Sequence, residues 1–489
     1  MNVNLLLITL IIFSCIFFNK ISFRFGIPTL FVFILLGMAF GSDGFARISF
    51  DNFALSETVC SVALIFIMFY GGFGTNWKMA RPVARQSILL STAGVFLTAL
   101  FLGLFLFLLI RREFWLCFLT GSALASTDAA SVFSVLRSQK LDLKENTASI
   151  LELESGSNDP MAYMLTLVCL SFLTGEADAG SILRLLTTQI VFGIAIGALC
   201  GLLSYRILKS VSFEVDGFDV IFIAGIALFS YALSAALGGN GYLSTYLTGI
   251  ILGNVKMGGK KNIVHFFDGL TGLMQMAVFF LLGLLATPSL LPGVLISAVS
   301  VFLFLTLVAR PLAVKLLLLP FRASKGQSRL ISFAGLRGAS SIVFAIMAVQ
   351  TLKSDTRFFH IIFFVVLLSL LVQGSLLPFA ARRFDMIDLS NDVMKTFTDY
   401  SEELPVQFIQ FTLAEDNEWV GKHISELALP LQFLFLLIVR EDKKLVPKGT
   451  TLLEAGDSLI LCAPAVQTKN AMQLSEIEID KSSEYLHCH

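Results

Sequence analysis

Glu154-Ser155-Gly156-Ser157-Asn158-Asp159-Pro160 forms a polar stretch in the middle of an apolar run over about 146–172. On a helix Glu154 and Asn158 lie four apart, as do Ser155 and Asp159, so the four side chains share adjoining faces. Pro160 brings no N–H, which leaves the carbonyl of Gly156 without its intrahelical partner. The result is a cluster of oxygens half-way along an apolar segment. Oxygen ligands suit a hard, weakly bound monovalent cation that sheds its water, and a carboxylate among them also binds a proton, so the two compete.

Three further apolar runs carry polar breaks. They are Ser126-Thr127-Asp128 within 114–136, Arg310-Pro311 within 291–319, and Gly335-Leu336-Arg337-Gly338 within 327–351. A charge at the bilayer centre costs roughly 2.5–3.5 kcal/mol on insertion scales, so each implies function or a compensating partner. Asp128, Glu154 and Asp159 supply three negative charges against two positive ones on Arg310 and Arg337. The one left over is balanced by one proton or one monovalent cation. This count predicts that Arg310 and Arg337 keep Asp128 and Glu154 ionised while Asp159 titrates, with Asn158 adding ligand oxygen without charge. Asp128 has a second reading, as a helix-end charge that offsets dipoles at an unwound segment. Arg310 likewise reads as a packing anchor near the end of its span.

The elements that must position these residues are transmembrane helices. Of 489 residues, 56% are hydrophobic and 14% charged, against about 25% charged in soluble domains. Hydropathy gives thirteen candidate spans, at about 3–18, 26–42, 55–72, 86–110, 114–136, 146–172, 182–208, 218–237, 241–256, 263–286, 291–319, 327–351 and 358–381. The first is expected to be a retained helix rather than a signal peptide, since Lys20 and Arg24 follow it and no basic residue precedes it. Alternate loops carry eighteen basic residues against six in the other set, which predicts an outward N-terminus and a cytoplasmic C-terminus. Spans five and twelve are seven apart and so run in opposite directions. If spans 1–6 and 8–13 are inverted repeats, both polar breaks fall on the fifth helix of their half, the sequence pointer to a midplane transport site. A net charge of zero gives no argument for nucleic acid, and the seven cysteines form no metal-spaced pair.

Residues 1–383 are therefore expected to form a membrane domain, 384–402 a linker, 403–466 a small soluble α+β module and 467–489 a flexible tail. In the module, 405–413 and 432–439 read as strands with a short helix at 421–428 between them, followed by a hairpin through Lys443 to Gly449 and on to Leu452–Cys462. A module of this size has a marginal core and is expected to pair with a second copy.

Thr127-Asp128, Glu154-x-x-x-Asn158-Asp159 and Gly335-Leu336-Arg337-Gly338 together resemble the NhaP-type branch of the cation:proton antiporter superfamily. The resemblance covers about 1–383. It implies an all-α polytopic fold of thirteen helices, NhaA-like, with inverted repeats and with the fifth and twelfth helices unwound and crossing near the site. It implies a homodimer in the bacterial inner membrane, held through scaffold helices of the first half while a core bundle moves. Asp159 becomes the carboxylate that binds potassium or sodium or a proton, Asn158 its neutral neighbour, Thr127 and Ser155 oxygen ligands, and Glu154 with Arg337 a stabilising ion pair. An Asn-Asp pair resembles the electroneutral one-for-one type. Ala129 departs from the family pattern, in which Pro often follows Thr-Asp.

The C-terminal module is similar to TrkA-C domains, on Val446-Pro447-Lys448-Gly449-x-Thr451-x-Leu453-x-Ala455-Gly456-Asp457-x-Leu459. That combination favours potassium and suggests a small regulatory ligand, with no other cofactor expected and a role in pH and volume homeostasis. The rival is a TrkA-C-gated cation channel, although no TVGYG-like filter is present. A membrane enzyme finds no support, since no His faces a plausible Ser nucleophile at mid-depth.

Overall fold

The computed structural model describes residues 2–25, 28–111, 113–139, 141–175, 178–210, 217–255, 260–353, 357–388, 406–414, 417, 419–427, 434–440 and 443–464. Most of the expected linker and the whole expected tail lie outside the described residues. The chain divides into two units, 1–398 and 399–489.

The first unit is helical. Its helices are α1 (Asn2–Phe25), α2 (Thr29–Phe40), α3 (Phe53–Gly74) and α4 (84–110, with a π turn at Leu90–Gly94). Then come α5a (Phe114–Ala125), α5b (Ala129–Ser138), α6 (Thr147–Leu173), α7 (Ala179–Ser210), α8 (Phe218–Ala236) and α9 (Gly241–Asn254). The last are α10 (Lys260–Leu285), α11 (291–318, with a π turn at Leu305–Ala309), α12a (Lys325–Phe333), α12b (Ala339–Leu352) and α13 (Arg357–Arg383, with a π turn at Ser369–Gln373). Eight helices among the described residues are long and apolar enough to cross a membrane. Shorter apolar helices cover Ile8–Lys20, Thr29–Phe40 and Ala339–Leu352.

These helices pack as two groups. On one side α3 lies on α9 and α10, and α10 on α2; on the other, α4 packs on α5a, α5a on α6, and α11 to α13 on one another. The first group makes close backbone contacts, since a Cβ on Gly249 or Gly253 would meet the carbonyl oxygens of Phe69 and Phe73 at 2.2 and 2.0 Å. The groups meet where α12b touches α3 and α6 touches α9. A two-residue antiparallel ladder joins the loop before α6 (β1, Asp142–Leu143) to the chain leaving α13 (β2, Ile387–Asp388). The Lys144 N–H donates to the Met386 carbonyl at 3.0 Å, and Met386 is buried.

The second unit is a four-stranded antiparallel sheet of β3 (Val406–Thr412), β4 (Leu434–Arg440), β5 (Lys443–Leu445) and β6 (Ser458–Pro464), in the order β3-β6-β4-β5. In place of the expected helix at 421–428 there is a single 3-10 turn, Ile424–Glu426, and 428 is outside the described residues. Leu413, Ile438, Leu453 and Leu459 form its small core. Arg440 grips the buried Asp457 with two nitrogens, at 2.7 and 2.8 Å, and also pairs with Glu454.

Candidate functional site

The fifth and twelfth helices are both broken, at 126–128 and 335–338, and the two extended segments cross. A break leaves orphan carbonyls at the end of one half and orphan N–H groups at the start of the next, and buried orphans must find partners. Several find them here. The Arg337 guanidinium donates through Nη1 to the carbonyls of Ala125 at 2.9 Å and Ser126 at 2.8 Å, the terminal carbonyls of α5a. Asp128 caps α5b, accepting from the Ala130 N–H at 2.9 Å and the Ser131 hydroxyl at 2.5 Å. Ser155 bridges the break, donating to the Thr127 carbonyl and accepting from the Ala129 N–H, both at 2.8 Å. The segments are tied directly by the Asp128 N–H to the Leu336 carbonyl at 2.8 Å. On the twelfth helix, Gln373 donates to the Phe333 carbonyl at 3.1 Å, and Ser369 accepts the Arg337 N–H at the same distance.

Helix α6 runs past this crossing and presents its polar stretch to it. The Ser126 hydroxyl donates to the Asp159 carboxylate and lies 2.9 Å from the Ser340 hydroxyl and 3.3 Å from Asn158 Oδ1. Asn158 donates to Thr127 Oγ1 at 2.6 Å and is fully buried. Asp159 is 8% exposed and lines a cavity of about 510 Å³. Thr127, Asp128, Ser155 and Ser340 line the same cavity, together with Tyr70 from α3 and Asp268 from α10. Pro160 sits one residue on; its own carbonyl accepts from Asn240, the residue capping α9, at 3.0 Å.

Asp159, Asn158, Thr127, Ser155 and Asp128 are thus brought together at one crossing. Their roles differ in detail from the expectation. Glu154 pairs with Arg310, Nη2 to Oε1 at 2.5 Å, and not with Arg337. Arg310 follows directly on the π turn of α11, which ends at Ala309. Arg337 answers carbonyls and Asp128 answers N–H groups, so broken-helix ends take the place of the expected partner charges. Sequence reasoning missed Ser126 and Ser340 as neighbours of Asp159. A signal existed in the Ser340-Ser341 pair in the first turn of α12b, where a hydroxyl faces a helix break.

The profile of the family described as "Sodium/hydrogen exchanger, transmembrane" matches residues 7–383, and that of the TrkA-C domain matches 408–474. The potassium/proton antiporter NhaP2 of Shewanella sp. (strain MR-4) is 34% identical over 466 residues, 94% of this chain and 80% of that protein. The potassium/proton antiporter NhaP of Alkalimonas amylolytica is 32% identical over 470 residues, 95% of this chain and 82% of that one. Among solved structures, the sodium proton antiporter MjNhaP1 from Methanocaldococcus jannaschii at pH 8 superposes with a TM-score of 0.69 at 23% identity, covering 77% of this chain and 97% of that chain, which establishes the same helical antiporter fold. The crossed breaks, the family profile over the whole helical unit and relatives one-third identical along nearly the full length lead to one conclusion: the chain belongs to the sodium/hydrogen exchanger family and carries a C-terminal TrkA-C domain.

Proposed function

We propose that this cation:proton antiporter exchanges potassium for a proton, one for one, at the Asp159 carboxylate. The observation that carries the reading is the position of Asp159. It faces a cavity at the crossing of two broken helices, ringed by the hydroxyls of Ser126 and Ser340, with Thr127 and Ser155 on the same wall. A carboxylate there binds a hard cation or a proton and not both, because either one neutralises the single charge the site holds uncompensated. Glu154 with Arg310 forms the ion pair that holds α6 to α11. Arg337 and Asp128 secure the ends of the broken helices, so none of these four charges is needed for exchange.

Potassium is favoured by relatives named potassium/proton antiporters that align along nearly the whole chain, TrkA-C domain included. One-for-one exchange is favoured by Asn158, which sits beside Asp159 where a second carboxylate would hold a second charge. The wider reading has thirteen crossings as two inverted repeats, in a homodimer in the bacterial inner membrane. Its N-terminus faces the periplasm, its C-terminal module lies in the cytoplasm, and a small ligand acts on that module. In this orientation the cavity opens on the cytoplasmic side, since it reaches Gly74 at the end of α3 and Glu152 near the start of α6.

The test uses purified protein in liposomes with an imposed potassium gradient and an internal pH dye. Proton flux driven by potassium, persisting with the membrane potential clamped and abolished in Asp159→Asn, is the expected result. Flux in Asp159→Asn at the wild-type rate would end the proposal, and flux that follows only the potential would replace exchange with a channel. Repeating the gradient with sodium decides the ion.

A further inference from the structure

The cavity has two walls of different origin. Thr127, Asp128, Ser155, Asp159 and Ser340 belong to the helices of the crossing, whereas the facing wall is α3 and α10. That facing wall carries one carboxylate, Asp268, which accepts a hydrogen bond from the Tyr70 hydroxyl across the α3–α10 contact. In all, four carboxylates line the cavity (Asp128, Glu152, Asp159 and Asp268), and no Lys, Arg or His is among its described lining residues. Charges of one sign on low-dielectric walls focus the field inside a cleft and raise the local concentration of the opposite charge.

The individual charges are not equivalent. Asp128 is engaged by the N–H groups of Ala130 and Ser131 and by the Ser131 hydroxyl, which spread its charge into the start of α5b. Asp268 stands on the opposite wall, outside the crossing, and its hydrogen bond to Tyr70 joins two helices that also pack on each other elsewhere. So placed, Asp268 sets a carboxylate on the wall of the passage without competing for the ligands of Asp159.

We infer that Asp268, positioned by Tyr70, is an affinity-determining residue for the cation: it draws the ion into the cavity and takes no part in the exchange itself. The inference rests on the reading that Asp159 is the exchanging carboxylate reached through this cavity. Tyr70 is a positioning residue for Asp268.

The test is the KM for potassium, measured against Vmax in the same liposomes, at two ionic strengths set with N-methylglucamine chloride. In the wild type, KM rises with ionic strength because field focusing is screened. Asp268→Asn is expected to raise KM about three- to tenfold with Vmax preserved, and to flatten its dependence on ionic strength, as removal of one partly screened charge should. Asp268→Glu restores both, and Tyr70→Phe shifts KM in the same direction by less. A residue that merely braces α3 against α10 would instead lower Vmax or yield and leave KM and its salt dependence unchanged. A wild-type KM in Asp268→Asn overturns the inference. Should that variant not fold, a Tyr70→Phe protein with unaltered KM and salt response overturns it equally. Asp159→Asn run in parallel separates the two levels. If it transports, the reading of the site fails; if it is silent while Asp268→Asn keeps its KM, only the role of Asp268 fails.

Discussion

Arg310 and Glu154 meet at 2.5 Å with side chains 2% and 1% exposed, and the second oxygen of Glu154 and the Nε of Arg310 have no hydrogen-bond partner among the described residues. A buried pair joined by a single bond gains little over an apolar pair of the same shape, yet loses heavily when only one partner goes. Glu154→Gln and Arg310→Met should each destabilise the bundle by about 3–5 kcal/mol, and the double variant Glu154→Leu/Arg310→Met by less than either. Unfolding midpoints in detergent check this. A double variant less stable than both singles would contradict the assignment.

Gly338 has no room for a side chain. A Cβ there would lie 2.5 Å from the Cβ of Asp128, against the bond between the Asp128 N–H and the Leu336 carbonyl. Gly338→Ala should force the crossing apart, costing roughly 1–3 kcal/mol and most of the transport rate. Gly335→Ala, whose Cβ would meet the Arg310 side chain at 3.2 Å, should be milder. Vmax of the two variants side by side decides; equal losses would deny the crossing its special tightness.

Gln373 answers a carbonyl that a continuous helix would have satisfied. It donates to Phe333 at 3.1 Å and accepts the Ser369 hydroxyl at 2.7 Å. Gln373→Leu takes the donor from the Phe333 carbonyl and the acceptor from the Ser369 O–H, so stability should drop by about 1–3 kcal/mol. Ser369→Ala, which removes a hydroxyl accepting from the Arg337 N–H, should drop it by a similar amount. Hydrogen exchange of the segment 327–345 is the sensitive readout, with faster exchange expected in both variants.

In the TrkA-C domain burial opposes the charge of Asp457. The Arg440 guanidinium and the Glu454 N–H outweigh it, and they hold the carboxyl below the usual Asp range. The sign follows from linkage: a carboxyl with a lowered folded value stabilises the fold above its unfolded value, about 3.9, and that stabilisation is lost as the pH falls through the folded one. Hydrogen exchange over 406–464 in the full chain should therefore accelerate on acidification below about pH 4 in the wild type. Asp457→Asn should already exchange faster at neutral pH, and a neutral-pH profile equal to the wild type would remove Asp457 from the account.

Much of this was legible in the residues. Apolar runs located the helices closely, as with 146–172 against the observed Thr147–Leu173. Polar residues inside two of those runs marked both breaks. The break at 126–128 forms even though Ala129 stands where proline was expected. Asp128 caps the following helix, and its own N–H finds the Leu336 carbonyl, so no ring is needed to end α5a. What could not be read were partners across helices. Glu154 and Arg310 are 156 residues apart in sequence, and hydropathy does not say which of two arginines a packed α6 will meet. Ser126 and Ser340 are 214 residues apart in sequence, and only the packed crossing makes them neighbours of Asp159.

The ladder of β1 with β2 stitches residues 387–388 to the two residues that precede the loop into α6. A tug on the polypeptide beyond Asp388 would be felt at once four residues before Thr147, at the foot of the helix that bears Asp159, with no relay through the rest of the bundle. The point where the chain leaves the helical bundle is thus tied to the foot of the helix that carries the central carboxylate.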